Sequence, residues 1–184
     1  MTALADARRR AGLTALYLGI FATVWLSVPD SEPPWGVFLV AGSVAALITA
    51  GAGGALAVLS RAAGPLSRDA VTDRKHLVIF AAELAATGFG AVLLAVTGRS
   101  EYIAVLVAAV VGIHFWPLAL VLRDPALRIL AGLVFVTALA GLVTGMMSAV
   151  SPGEVVGTGV GVLLLGYAIG ALIRGGMTLR ASHP

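Results

Sequence analysis

The chain contains no cysteine, which excludes disulfides, thiolate nucleophiles and thiolate metal ligation at once. Charge is nearly as scarce: charged side chains make up 11% of the 184 residues, and lysine occurs once, at Lys75. Aromatic residues contribute 7%, and the basic residues sit at the ends of the apolar runs and form no patch interleaved with exposed aromatics of the kind that binds nucleic acid. The net charge of +3 therefore does not mark a nucleic-acid partner. Also missing are a Gly-x-x-x-x-Gly-Lys phosphate loop, a His-Glu-x-x-His helix, a Gly-x-Ser-x-Gly elbow and a calcium-binding loop, so the chemistries those motifs carry are set aside. One histidine and one glutamate inside the apolar runs are too few ligands for a metal or haem site, and no cofactor is expected.

What fills the chain instead is apolar: 59% of residues are hydrophobic and the mean hydropathy is +1.01, far from the balance of a soluble domain. A hydrocarbon core of roughly 30 Å takes about 20 apolar residues as a helix, and runs of that order recur six times between short polar breaks. The composition predicts an all-α polytopic membrane protein, a six-helix transmembrane bundle forming one integral domain over residues 1–184. Its partner is the lipid bilayer and its expected place is the cell inner (plasma) membrane. Helices are expected at about 12–28, 35–59, 76–97, 102–122, 126–150 and 152–173.

Punctuation supports these limits. Arg8, Arg9 and Arg10 precede the first run, and no small-residue cleavage pattern follows before Pro29, so this reads as a retained helix and not a removable leader. Prolines in Pro29-Asp-Ser-Glu-Pro-Pro34 prevent its continuation, with Trp25 and Trp35 flanking the loop at belt positions. Ala50-Gly-Ala-Gly-Gly-Ala55 lets a neighbouring backbone come close in the second helix. Ser151-Pro-Gly-Glu154 matches a capping box with proline at the first helical position, while Arg123 and Asp124 read as an interfacial pair. Arg8, Arg9, Arg10, Arg61, Arg68, Arg74, Lys75, Arg123, Arg128, Arg174 and Arg180 fall on one side and Arg99 alone on the other. Eleven against one predicts both termini in the cytoplasm. No three-plus-three repeat of the kind found in many transporters is visible.

Depth follows from a rise of about 1.5 Å per residue. Glu83 lies eight residues beyond Lys75 and His114 nine before Arg123, placing both roughly 12 to 14 Å from the cytoplasmic ends of their helices. Tyr17, seven residues after Arg10, and Tyr167, seven before Arg174, come to about 10 to 11 Å. An ionisable side chain in lipid is costly unless partnered, so Glu83 and His114 are the candidate proton-handling pair, titrating as one couple. Tyr17, Trp116 and Tyr167 are the candidate substrate contacts, each with a plain packing reading beside it. Pro117 offers no N–H to the carbonyl of Ile113, which frees an acceptor next to His114. Ala86, Thr87 and Gly90 lie on or near the Glu83 face and admit a close partner helix.

The stretch Gly112-Ile-His-Phe-Trp-Pro-Leu-Ala119 followed by Arg123-Asp-Pro125 resembles small bacterial multi-pass membrane proteins with a Gly-x-His-Phe-x-Pro-Leu-Ala pattern. The resemblance spans about one helix and the next turn. It implies a multi-pass membrane setting and brings no activity with it. Three function classes stay open on these residues. The first is a small carrier or permeation protein, alone or as a homo-oligomer, for a lipophilic or cationic small molecule. The second is a membrane-embedded enzyme using the carboxyl as general acid on a lipid-soluble substrate, similar in outline to small integral-membrane terpene cyclases. The third is a scaffold subunit. Enzyme or not, the residues alone do not decide.

Overall fold

A computed structural model describes residues 2–29, 31–60, 70–122 and 124–180, with side chains for 4–29, 31–60, 81–119 and 124–177. Arg61, Arg68, Asp69, Arg123 and His183 lie outside the described residues, as do the side chains of Asp73, Arg74, Lys75, His76 and Arg180. Six α-helices make up the described chain, which contains no strand: α1 (Thr2–Leu26), α2 (Trp35–Leu59), α3 (Ala70–Val96), α4 (Ile103–Leu122), α5 (Pro125–Met147) and α6 (Pro152–Arg180). A 3₁₀ turn, Ser100–Tyr102, leads into α4. Three helices exceed the expected limits. α1 takes in the arginine cluster and α3 begins before His76. α6 runs past Ile173, because the Gly175-Gly176 pair does not break a helix whose backbone bonds are already formed.

Four helical stretches are long and apolar enough to cross a membrane: Trp35–Leu59, Ser100–Ala119, Pro125–Met147 and Pro152–Met177. The other two expected spans are not among them. α1 carries Asp6 and Arg8 to Arg10, so its uncharged part is Ala11–Leu26, about 24 Å at helical rise against the roughly 30 Å of a hydrocarbon core. In α3 the side chains are described from Ala81 onward, and that part, Ala81–Val96, is an apolar stretch.

The chain forms two compact units, one of Met1–Leu66 with Val160–Pro184 and one of Ser67–Gly159. α6 therefore contributes its first turns to the second unit and its remainder to the first.

In the first unit α1 and α2 run antiparallel with their backbones close together. Ala15, Leu18 and Ala22 of α1 are buried with Ala46, Ala50, Gly53 and Ala57 of α2, a spacing that sets one small face on each helix. A Cβ on Gly53 would stand 2.6 Å from Leu16 N and 2.7 Å from Gly12 O; one on Gly12 would meet Ala57 N at 2.7 Å. The glycine-rich run of α2 thus admits a neighbouring backbone, and that neighbour is α1. Val160, Leu164, Ala168 and Ala171 form the buried stripe of α6 in this unit. The two loop tryptophans differ. Trp35 is 46% exposed and tilts against Phe38, whereas Trp25 is 7% exposed, its ring packed within the unit.

In the second unit α4 packs on α5 through Val105, Ala108 and Ala119 against Leu127, Leu130, Ala131, Val134 and Ala138. Thr137, Thr144 and Ser148 donate to the carbonyls of Leu133, Ala140 and Thr144 at 2.8, 2.7 and 2.9 Å, the back-bonding expected of hydroxyls in an apolar helix. α3 ends in a Schellman arrangement: Gly98 has φ +72°, its N–H donates to Ala95 O, and the N–H of Arg99 donates to Leu94 O at 2.8 Å. Glycine suits that left-handed position because it has no Cβ.

The start of α5 shows a helix cap at Asp124, while its expected pairing with Arg123 lies outside the described residues. Asp124 has extended backbone and its Oδ1 accepts from Ala126 N at 3.0 Å, with Pro125 at the first helical position. The carboxylate caps the helix and meets the positive end of its dipole. Asp124→Ala is expected to lower stability by about 0.5–2 kcal/mol and Asp124→Asn by much less, read from denaturation midpoints in detergent micelles. Ser151 directly precedes α6, and its carbonyl accepts from Glu154 N at 3.0 Å.

Candidate functional site

The site is built on the weaker helix contact of the second unit. Along α3 the half-buried residues are Glu83, Thr87, Gly90, Ala91 and Leu94, spaced as one narrow stripe. Leu84, Phe89, Val92, Leu93 and Val96 are exposed on the rest of the helix. Gly90 lets the stripe approach α4: a Cβ there would meet the Leu106 side chain at 2.7 Å. Thr87 Oγ1 donates to the carbonyl of Glu83 at 2.7 Å, so its hydroxyl is satisfied within α3.

At the Glu83 end of this stripe, Glu83 Oε2 and His114 Nδ1 are 2.5 Å apart, with side-chain exposures of 24% and 29%. The bond exists in either protonation arrangement. An imidazole N–H donates to a carboxylate, or a carboxyl O–H donates to the ring nitrogen. One proton can therefore pass between the two groups without breaking the contact. Phe115 is tilted beside the His114 ring, centroids 6.4 Å apart.

Pro117 stays inside α4, which continues through it. Next to it is a half-open cleft of about 360 Å³ lined by Gly112, Ile113, Trp116, Pro117, Ala131, Gly132 and Phe135. Its lining is apolar and is drawn from both α4 and α5.

The five candidate residues divide. Glu83 and His114 are brought into contact. Trp116 is 56% exposed and lines the cleft two residues from His114. Tyr17 and Tyr167 belong to the other unit. Tyr17 is 59% exposed on α1, and Tyr167 lies under the guanidinium of Arg174, 5.4 Å from the ring centroid. The shared depth of four helices thus becomes a direct contact between two of them. Sequence reasoning missed two features whose signals were present: the Asp124-Pro125 helix start, and the seven-residue spacing from Tyr167 to Arg174 that stacks cation on ring. Among the described residues no three His, Asp or Glu side chains gather where they could hold a metal ion.

Fold and site together define an all-helical protein with four helices long and apolar enough to cross a membrane and an acid–imidazole contact between two of its helices. No family model, curated protein or solved structure matches the chain.

Proposed function

We propose that the protein is a small carrier or permeation protein of the inner membrane in which Glu83 and His114 exchange a proton as a lipophilic or cationic molecule moves. The carrying observation is the 2.5 Å contact between Glu83 Oε2 and His114 Nδ1, an ionisable pair set within apolar helices, where such groups mark proton and ion routes. The apolar cleft beside Ile113 and Trp116 supplies a surface for the lipophilic part of a substrate. In this reading all six helices cross the bilayer with both termini in the cytoplasm. α1 completes its span by extending its arginine side chains to the interface.

A second reading is favoured by the narrow stripe through which α3 meets α4. With most of the described part of α3 exposed, the pair serves as a polar staple for that helix, and the protein is a scaffold.

Difference infrared spectroscopy in lipid separates the two. The transport reading expects a carboxyl band that titrates at accessible pH, disappears in Glu83→Gln and shifts in His114→Ala. Proteoliposomes carrying Glu83→Gln are then expected to lose proton-coupled flux while the protein keeps its helicity. A carboxyl that does not titrate, with proton flux unchanged in Glu83→Gln, overturns transport and leaves the staple.

A further inference from the structure

We infer that the arginine-rich end of the unit Met1–Leu66 with Val160–Pro184 is a docking site for an anionic phospholipid, its headgroup phosphate held by Arg10 and Arg174. The inference takes only the membrane setting and is independent of the Glu83–His114 pair.

The tertiary structure places the two arginines at one contact. A Cβ on Gly175 would stand 3.0 Å from Ala11 Cβ and 2.9 Å from Leu56 Cδ2, so α6 meets α1 and α2 there. Arg174 and Arg10 are the immediate chain neighbours of that contact. Both are exposed, and Arg8 and Arg9 are half-buried on the same end of α1. Against these four arginines α1 carries one acid, Asp6.

Arg174 is also held in place. Its guanidinium lies over the Tyr167 ring, 5.4 Å from the centroid. Contact through the ring face uses none of the in-plane N–H donors, and those are the groups that fit a phosphate in a fork. The stack draws the cation back along α6 toward its apolar length, Pro152–Met177, the depth at which a headgroup meets its acyl chains.

A lipid fits better than a soluble anion because an apolar track starts at the same arginine. Tyr17, Ile20, Phe21 and Val24 are exposed at spacings that set them on one face of α1 below Arg10. Charge at one end and an exposed apolar stripe running from it match a phospholipid, with phosphate above and acyl chain along the helix. Juxtamembrane arginines attract anionic headgroups by roughly the amount that makes two of them worth at least a tenfold change in affinity. Tyr17, a candidate substrate contact by depth, becomes part of the lipid track.

The test uses the full chain in detergent, titrated with phosphatidylglycerol or phosphatidylcholine and read by native mass spectrometry. Wild type is expected to retain phosphatidylglycerol in preference to phosphatidylcholine, and the preference to fall about tenfold in Arg10→Gln/Arg174→Gln. Arg99→Gln, at the other end by sequence, is expected to keep it. Soluble glycerophosphoglycerol is expected not to compete, because it lacks the acyl chains. Equal retention of the two lipids by wild type, an unchanged preference in the folded double variant, or full competition by the soluble headgroup would each overturn the proposal. Should the double variant fail to fold, Tyr17→Ser/Phe21→Ser tests the acyl track instead. There, undiminished phosphatidylglycerol binding counts against it.

Discussion

Gly53→Ala is expected to force α1 and α2 apart. The new methyl would stand 2.6 Å from Leu16 N and 2.7 Å from Gly12 O, both backbone atoms that no rotamer change can move. Overpacking of this kind costs about 1–3 kcal/mol, and Gly53→Leu, with three further carbons in the same space, is expected to prevent the helix pair from forming. The internal control is two residues away. A Cβ on Gly51 meets nothing within 4 Å, so Gly51→Ala is expected to be neutral, or stabilising by up to about 1 kcal/mol through helix propensity. Thermal melts of the three variants in one detergent measure the contrast. Equal midpoints for Gly51→Ala and Gly53→Ala would show that the small face of α2 is not a helix contact.

The second large effect concerns the stability of the Glu83–His114 pair. Replacing one member leaves the other's polar atoms in an apolar setting without that bond, and an unmet polar group of this kind costs about 1–3 kcal/mol. Glu83→Leu and His114→Leu are each expected to destabilise the α3–α4 contact by an amount in that range. The double variant is expected to cost less than the sum, because no orphan remains. Coupling energies between polar groups in membrane helices average about 0.6 kcal/mol and reach about 1.7 kcal/mol, and a pair with an ionisable proton is expected near the upper end. Unfolding followed by an α3 label, through the four corners of the cycle, measures it. Strict additivity would mean that the two side chains do not hold each other in lipid. A positive coupling with no carboxyl titration would select the staple over the carrier.

The fold was legible wherever composition and periodicity carry it. The run boundaries at the Pro29–Pro34 loop, at Gly98 and at Ser151 fell where the helices end or begin, because proline, a left-handed glycine and a cap residue act on the local backbone. The lengths were less legible. Arg8, Arg9 and Arg10 read as the edge of a membrane span, yet α1 starts at Thr2, since arginine is a good helix former whatever solvent surrounds it. At Asp124 the sequence also carried a second, local signal: Asp-Pro, an N-cap followed by proline at the first helical position.

For the site, residue counting from the charged ends put Glu83 and His114 at one depth, because helical rise is constant and the ends are marked. Depth is one coordinate of three. The direction in which each residue faces around its helix depends on which helices are neighbours, and no count along the chain contains that. Tyr17 and Tyr167 share nearly the same computed depth, yet they fall in the other unit, one exposed on α1 and the other stacked beneath Arg174.

By itself the sequence determined an all-helical class with helices long and apolar enough to cross a membrane, the order of those helices, the small faces on which they approach and the matching level of Glu83 and His114 along their helices. These follow from hydropathy, backbone chemistry and rise, all of them local. Only the tertiary structure decided that α2's glycines receive α1, that Glu83 touches His114, and that Gly175, next to the Arg174 that stands over Tyr167, meets Ala11. Each depends on rotation about a helix axis and on the choice of neighbour, which side-chain packing settles across the whole fold.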